Sequence, residues 1–330
     1  MTAVFMSARP WNLPDVYGAI KEKLCSELDF LSDVTTADEI ERRDDLRAVE
    51  VIFSTWGMPE LTREQIRKYL PNLRAIFYAA GTVQKFARPF LEEGVTLCSA
   101  WRANGVPVAE VAFSEIILAN KGFFRRRVTC RDEWRNDDPE KAFPGNYHTR
   151  VGILGAGAIG KRVIELLKNT DVDIAVFDPF LPDEAAEELG VKKCGIVDVF
   201  RTCNVISNHL ANNDGTRGII NKACFDAMGA HAVFINTGRG AQVDEAALIS
   251  AMKKEPGRLA LLDVTDPVEP PAENSELYSL PNVRMTPHVA GSTGFEVRRM
   301  ATYMYEEYRR FVAGEPLLYS VNAKMLETMA

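Results

Sequence analysis

The stretch RVGILGAGAIGKRV, residues 150–163, decides the fold predicted for this chain. Its apolar start is typical of a β-strand, which runs directly into GAGAIG and places Gly155, Gly157 and Gly160 at the spacing GxGxxG. In such a turn the first glycine permits a tight bend, the second lets the backbone approach a pyrophosphate, and the third lets the next helix pack closely. The N-terminus of that helix, at Ala158 and Ile159, would present N–H groups and a positive dipole end to phosphates.

A second strand candidate, DIAVFD, ends at Asp178, 18 residues after Gly160. An acidic residue at about this distance bonds the adenosine ribose hydroxyls of a bound dinucleotide. A carboxylate there would repel a 2′-phosphate, so we predict NAD rather than NADP. The other interpretations are a glycine-rich turn without a ligand and an S-adenosylmethionine site, and the third glycine argues against the latter.

Composition and charge argue against several classes of partner. The chain has 330 residues and a formal net charge of −7, and its densest basic run is 125–127. We interpret that run as a solvated face or a subunit contact and expect no nucleic-acid partner. The most apolar window, 106–118, contains Glu110 and Glu115, so we expect no membrane span.

Cysteine usage and the N-terminus bear on the compartment. The six cysteines form no CxxC pair and show no zinc-like spacing, so we expect no metal site. The N-terminal residues MTAVFMSARPW hold too short an apolar stretch for a signal peptide. We therefore expect a reducing cytoplasm. No regulatory domain is expected after the last helix candidate.

Short apolar runs alternate with helix-patterned segments along most of the chain. Buried strands separated by helices indicate parallel sheets covered on both faces, and two such sets predict an α/β chain with two doubly wound domains. The strand candidates are 3–8, 49–55, 73–80, 96–101, 150–156, 173–178, 205–210, 232–237, 258–264 and 283–288. The helix candidates include 61–70, 108–127 and 294–312, and 136–148 is typical of a loop.

Three of the later strand candidates end in polar residues, and parallel α/β sheets bind ligands beyond the carboxyl ends of their strands. One leads to Arg239 between two glycines, one leads into TDPVEPP with Glu269, and one ends at His288. Singly, each could be a surface or structural residue. Together, a guanidinium that clamps a carboxylate, a proton-donating histidine and a carboxylate that orients it suit reduction of a 2-keto acid with a nicotinamide cofactor.

Four segments resemble, in order, the D-isomer-specific 2-hydroxyacid dehydrogenases. GILGAGAIGKRV (152–163) resembles the nucleotide turn of that family, and HLANNDGTRGIIN (209–221) is similar to its HLPLTPETRGLIN-like segment. FINTGRGAQVDEAAL (234–248) is similar to its INTARGGLVDEEAL-like signature, and LPNVRMTPHVAGST (280–293) resembles its LPNVLLTPHIAGST-like signature. Four ordered matches are far more specific than one motif.

The resemblance implies an architecture of two α/β domains, usually in a homodimer. A Rossmann nucleotide domain would be inserted into a flavodoxin-like substrate domain. We place the substrate domain at residues 1–100 plus 292–330 and the NAD-binding domain at 101–291.

The resemblance also implies roles for individual residues. Arg239 would bind the substrate carboxylate and carbonyl, His288 would be the acid/base, and Glu269 would pair with it. Backbone N–H groups at the substrate carboxylate and residues at the cofactor complete the site. The backbone N–H groups at the substrate carboxylate would be those of Ala80, Gly81 and Thr82. Besides the glycine-rich turn, the residues at the cofactor would be Val108, Asp178, His209, Thr237 and Asp263. Among these, Asp263 would contact the nicotinamide carboxamide.

Two departures from the family pattern leave alternatives open. In the family pattern DVxxxEP the glutamate follows the aspartate by five residues, whereas Glu269 follows Asp263 by six. Asp266 therefore competes with Glu269 as the partner of His288. The segment FSTWGMP (53–59) lacks the arginine that phosphoglycerate members tend to carry, which disfavours a phosphorylated substrate.

The sequence therefore predicts an NAD-dependent enzyme that interconverts a small 2-keto acid, similar to hydroxypyruvate or glyoxylate, and a D-2-hydroxy acid. The alternative is a corepressor-like protein that binds NADH and acts through partners. Trp56, Trp101 and Arg102 could shape the pocket, and the two tryptophans could equally pack between the domains.

Overall fold

The structure, a computed structural model, describes residues 1–125 and 143–327. The chain divides into two compact units, one formed by Met1–Gly105 with Ser292–Ala330 and the other by Val106–Gly291. We call them the terminal unit and the central unit. Residues 126–127 of the predicted helix and residues 136–142 of the predicted loop lie outside the described residues.

The terminal unit is built on a six-stranded sheet. Its strands are β1 (Thr2–Met6), β2 (Asp29–Phe30), β3 (Val51–Ser54), β4 (Ala75–Tyr78), β5 (Thr96–Ser99) and, from the other end of the chain, β13 (Ser320–Val321). The parallel order β2-β1-β3-β4-β5 is that of a flavodoxin-like sheet, and β13 joins β5 in antiparallel orientation. This arrangement confirms the flavodoxin-like prediction.

Helices cover both faces of this sheet. They are α1 (Asn12–Tyr17), α2 (Lys21–Glu27), α3 (Ala37–Arg42), α4 (Arg63–Tyr69), α5 (Ala87–Glu92) and α12 (Val297–Ala313). Successive residues of β1 point to opposite faces, so Val4 packs in one apolar cluster and Phe5 in another. Because both faces are buried, the central strands are continuous apolar runs, which is the pattern that predicted a parallel sheet.

The central unit is built on a seven-stranded parallel sheet. Its strands are β6 (Tyr147–Leu154), β7 (Asp171–Phe177), β8 (Lys192–Lys193), β9 (Val205–Asn208), β10 (Val233–Asn236), β11 (Leu259–Leu262) and β12 (Val283–Met285). The order is β8-β7-β6-β9-β10-β11-β12, which is the Rossmann order extended by one strand. The order reverses between β6 and β9, where such sheets bind dinucleotides.

The helices of the central unit follow its strands. They are α7 (Ala158–Leu167), α8 (Asp183–Glu188), α9 (Ile196–Thr202), α10 (Lys222–Ala227) and α11 (Glu245–Lys254). A long helix, α6 (Trp101–Asn120), contains the boundary between the two units. The sequence predicted that this helix begins at residue 108. It begins seven residues earlier, and Pro107 lies inside it.

Within the described residues, no helix is long and apolar enough to cross a membrane. The same residues include no group of three or more His, Cys, Asp or Glu side chains that could hold a metal ion.

Candidate active site

The glycine-rich turn follows β6, and each of its three glycines has a different environment. Gly155 has a φ of +89°, and a Cβ there would lie 2.7 Å from the His209 carbonyl oxygen. Gly157 is open, since a Cβ there would meet no atom of the described residues within 4 Å. A Cβ on Gly160 would lie 1.9 Å from the Gly155 carbonyl oxygen, so only glycine lets α7 pack this close. These are the tight bend, the open approach and the close packing that a dinucleotide turn needs.

Asp178 lies against this turn, directly after β7. Its Oδ2 accepts a hydrogen bond of 2.7 Å from the Ala156 N–H, and its Oδ1 accepts one of 2.8 Å from the Phe180 N–H. The carboxylate is therefore held at the edge of the turn, where the ribose contact was predicted. Ala158 and Ile159 form the first turn of α7, and Ala158 is exposed.

Two residues assigned to the cofactor carry buried polar atoms that have no hydrogen-bond partner among the residues that the structure describes. They are Nδ1 of His209, after β9, and Oγ1 of Thr237, after β10. Burial lowers the pKa of His209 to about 4, so the ring is neutral near pH 7, and its other nitrogen lies 2.9 Å from Ser207 Oγ. Buried polar atoms are rarely left unsatisfied in proteins, so these two atoms fit a site that receives a polar ligand. Val108, on α6, is an apolar buried residue of the same unit.

Arg239 follows β10 in the turn that leads to the short helical segment Gly240–Gln242. The guanidinium is largely desolvated, which lowers its pKa, while the nearby Glu269 acts in the opposite direction. Its Nη1 donates a hydrogen bond of 2.7 Å to the Gly238 carbonyl. Gly240 lets this turn approach the loop after β11, because a Cβ there would lie 2.0 Å from the carbonyl carbon of Thr265.

The loop after β11 brings Glu269 to His288. The distance between Glu269 Oε2 and His288 Nδ1 is 2.7 Å, and the two side chains are 38% and 49% exposed. Asp266 faces elsewhere, with its Oδ2 4.0 Å from Arg217 Nη1. Of the two candidate acids, the structure therefore places Glu269 on the histidine.

The backbone at His288 has a positive φ, and the segment around it is anchored by hydrogen bonds to Asp263. His288 has a φ of +55°, a left-handed conformation that non-glycine residues adopt infrequently and that often marks functional sites. The buried Asp263 accepts three hydrogen bonds from this segment: from Thr286 Oγ1 at 2.5 Å, the Val289 N–H at 2.8 Å and the Ala290 N–H at 2.9 Å. Both carboxylate oxygens of Asp263 thus anchor the histidine loop, and the predicted contact with the carboxamide stays a prediction.

The predicted substrate loop lies in the terminal unit, after β4. The carbonyls of Ala80 and Gly81 accept hydrogen bonds of 2.9 and 2.7 Å from Ser99 Oγ. A Cβ on Gly81 would lie 3.6 Å from Asn104 Nδ2, and Thr82 follows in the same loop. These bonds fix the course of the loop, while the substrate contact of its N–H groups stays a prediction.

The two tryptophans considered for the pocket, and the question of a cation near residues 53–59, concern the terminal unit. Trp56 packs against both apolar clusters of the unit, and the rings of Trp101 and Tyr319 meet edge to face at 6.0 Å. The segment 53–59 has no cation of its own, but Arg9 is adjacent, since its backbone nitrogen would lie 2.9 Å from a Cβ on Gly57. A cation near this loop is therefore supplied from a distant part of the chain, which the local search of the sequence missed.

Comparison with known families identifies the central unit. Residues 114–290 match the family model described as "D-isomer specific 2-hydroxyacid dehydrogenase, NAD binding domain". The chain belongs to the D-isomer-specific 2-hydroxyacid dehydrogenase family. The family resemblance is thereby confirmed, and the matched segment covers the dinucleotide turn, Arg239, Glu269 and His288.

Curated relatives resemble the chain in sequence, and a solved structure resembles it in fold. The D-3-phosphoglycerate dehydrogenase of Archaeoglobus fulgidus is 33% identical over 239 residues, 72% of this chain and 44% of the relative. That of Methanocaldococcus jannaschii is 29% identical over 294 residues, 88% of this chain and 54% of the relative. A phosphoglycerate oxidoreductase from Rhizobium etli has the same fold, with a TM-score of 0.80, 21% identity and 98% of each chain covered. The chain spans about half the length of the curated relatives it matches.

The sequence search missed a set of buried amides beside Arg239. Asn208, Asn236 and Gln242 are each at most 1% exposed and are hydrogen-bonded to one another. One signal was present in the sequence, because Gln242 stands where the similar family segment INTARGGLVDEEAL has an apolar leucine.

Proposed function

We propose that this chain is an NAD-dependent D-2-hydroxyacid dehydrogenase that interconverts a small 2-keto acid and the corresponding D-2-hydroxy acid. The observation that carries the proposal is the 2.7 Å pair of Glu269 and His288 in the same unit as the dinucleotide turn and the desolvated Arg239. The carboxyl ends of β10, β11 and β12 are neighbours in one sheet, and these three side chains follow those three ends.

Each side chain has a chemical task in this proposal. Bound NADH supplies the hydride for the carbonyl carbon of the keto acid. Glu269 engages Nδ1 of His288 and stabilises the imidazolium, so that Nε2 donates the proton to the carbonyl oxygen. Arg239 binds the substrate carboxylate and stabilises the negative charge that develops on that oxygen, an effect commonly worth about 3 kcal/mol for one such donor.

The substrate is proposed to be unphosphorylated and small, similar to hydroxypyruvate or glyoxylate, because the segment 53–59 lacks a cation. Arg9 beside Gly57 makes 3-phosphohydroxypyruvate the competitor that a substrate panel must include. We further propose that the protein acts as a homodimer in the cytoplasm, without nucleic-acid or membrane partners, as its family and its acidic composition suggest.

The first test is a substrate panel with the purified chain, in which loss of NADH absorbance is followed with glyoxylate, hydroxypyruvate, pyruvate, bulkier 2-keto acids and 3-phosphohydroxypyruvate. We expect rapid turnover of one of the small unphosphorylated acids.

His288→Ala should lower kcat by about 10²- to 10⁴-fold, because it removes the proton donor, while NADH still binds. A near-normal rate in this variant would disprove the role of His288. NADH binding without any turnover, together with NADH-dependent assembly, would indicate a sensor instead of an enzyme.

A further inference from the structure

The side-chain amides of Asn208, Asn236 and Gln242 form a hydrogen-bonded network that contacts the backbone of Arg239. Asn208 Nδ2 donates hydrogen bonds of 2.9 Å to Asn236 Oδ1 and 2.7 Å to Gln242 Oε1. Asn208 Oδ1 in turn accepts a hydrogen bond of 3.2 Å from the Leu210 N–H. Both hydrogens of the Asn208 amide nitrogen are therefore used inside the network.

The network holds the backbone of Arg239 on both sides. Gln242 Oε1 accepts a hydrogen bond of 3.1 Å from the Arg239 N–H, and Asn236 Nδ2 donates one of 3.2 Å to the Arg239 carbonyl. Asn236 Oδ1 also accepts a hydrogen bond of 3.1 Å from the Gly238 N–H. A fully satisfied polar network in a buried site rigidifies the groups that it joins, so the position of the Arg239 main chain is set by these side chains.

Gln242 also ties this turn to the segment after β9. Its Nε2 donates hydrogen bonds of 2.8 Å to the Leu210 carbonyl and 2.9 Å to the Ala211 carbonyl. Those two residues directly follow His209, whose Nδ1 is a buried atom without a partner among the described residues. One side chain thus joins the arginine turn to the segment assigned to the cofactor.

Gly238 leaves the space that the network occupies. A Cβ at this position would lie 2.8 Å from Asn208 Nδ2 and 2.9 Å from Gln242 Oε1, closer than non-bonded atoms approach. A side chain at residue 238 would therefore have to displace the terminal amide atoms of Asn208 and Gln242 from these positions.

We infer that Asn208, Asn236 and Gln242 are positioning residues that hold Arg239 for the keto acid: Gln242 and Asn236 contact the Arg239 backbone directly, and Asn208 joins the two. The effect on catalysis rests on the function proposed above, whereas the effect on the Arg239 turn does not. Replacing Gln242 by an apolar residue removes the side-chain partner of the Leu210 carbonyl and of the Arg239 N–H, whereas the Ala211 carbonyl keeps its hydrogen bond from Thr216 Oγ1, so the turn should open more often. Catalysis tolerates such loosening poorly, because displacement of a binding group by about 1 Å can lower a rate on the order of 100-fold.

The test measures hydrogen exchange and kinetics on the same variants of the full chain. Gln242→Leu removes the amide, and Gly238→Ala displaces it without removing any polar group. Both should increase backbone exchange of peptides covering residues 237–243 and lower kcat/KM for the best keto acid by about 10- to 100-fold, with a rise in the KM of that acid. Asn169→Leu, an exposed amide of the same unit, is the matched control and should change neither readout.

The double variant Gly238→Ala/Gln242→Leu provides an internal check. Since part of the strain from the added methyl group falls on the Gln242 amide, which the second substitution removes, the effect of the double variant should be smaller than the sum of the two single effects. Unchanged exchange of residues 237–243 in both single variants would overturn the inference, and so would increased exchange with kcat/KM within twofold of wild type. If the unmodified chain reduces no keto acid, the proposed function fails, and exchange in the single variants alone decides whether the network holds Arg239.

Discussion

The partner of His288 shows what residue spacing can and cannot decide. The loop TDPVEPP is one residue longer than the family pattern, so the sequence left both Asp266 and Glu269 as candidates. In the structure Thr265 draws the longer loop back on itself: its hydroxyl donates to the Val268 carbonyl at 2.8 Å and its N–H donates to Glu269 Oε1 at 3.2 Å. The extra residue is accommodated inside the loop, and Glu269 still reaches the histidine.

A pair of isosteric substitutions should separate the two acids. Glu269→Gln removes the charge that orients and stabilises the imidazolium, and we expect kcat to fall by about 10- to 1000-fold. Asp266→Asn loses only a 4.0 Å pair with the exposed Arg217, so kcat should change by less than about twofold. Steady-state kinetics with the best keto acid measures both. A larger loss for Asp266→Asn than for Glu269→Gln would contradict the placement of Glu269 on His288.

Other residues could be located from the sequence but not given their partners. The spacing of Gly155, Gly157 and Gly160 determines a local backbone geometry, so their different environments were predictable. Asp178 and Asp263 were also found by position, but their hydrogen bonds run to the glycine-rich turn and to the histidine loop. Such bonds depend on which strands become neighbours, and that information is not contained in local spacing.

Among the elements, α6 departs furthest from its prediction. The predicted start was residue 108, from apolar residues at helical spacing, and Asn104, Gly105 and Pro107 before it disfavour a helix locally. The helix begins at Trp101 because burial outweighs propensity here: Ala103, Ala109 and Ala112 are all fully buried.

The three two-residue strands β2, β8 and β13 were missed for a different reason, since two residues cannot show an alternating pattern.

The same helix carries a carboxylate in an unfavourable place. Oε2 of Glu115 is buried and has no hydrogen-bond partner in the described part of the chain. Burial, with a smaller contribution from the negative charge of Asp263, raises the pKa of Glu115 to about 7. The pKa in the folded state thus lies above the ordinary value of 4.5. The folded protein therefore holds a proton that the unfolded chain releases, and stability decreases as the pH rises from about 4.5 to about 7.

Substitution by the neutral isostere should remove this pH dependence. Glu115→Gln is expected to change the free energy of unfolding little at pH 5 and to increase it on the order of 2–3 kcal/mol at pH 8, where Glu115 must ionise or hold its proton at a cost. Urea unfolding of both proteins at the two pH values measures the difference. Glu110→Gln, an exposed carboxylate on the same helix, is the control and should show no such trend. An equal effect of Glu115→Gln at pH 5 and pH 8 would rule out titration as the cause.

At the scale of the whole molecule, the two ends of the chain build one unit together. Residues of α12, including Met300, Met304 and Tyr308, lie in the same apolar cluster as Phe53 and Phe77 of the N-terminal strands. Glu307 is fully buried on α12 and accepts hydrogen bonds from the Leu318 and Tyr319 N–H groups, which secures the segment leading to β13. The sequence indicated this assembly only through the family resemblance, because helical periodicity does not show which sheet a helix covers.

This organisation predicts which fragments fold. Residues 101–291 contain α6, the whole seven-stranded sheet and both of its apolar clusters, so this fragment should unfold cooperatively on heating and should bind NADH. Residues 1–105 lack α12, which leaves Phe53 and Phe77 without part of their packing, and should show no cooperative transition. Joining 1–105 to 292–330 through a short Gly/Ser linker restores that helix and should restore cooperative unfolding, as measured by circular dichroism. Cooperative unfolding of 1–105 alone would show that α12 is an addition to the terminal unit and not part of its core.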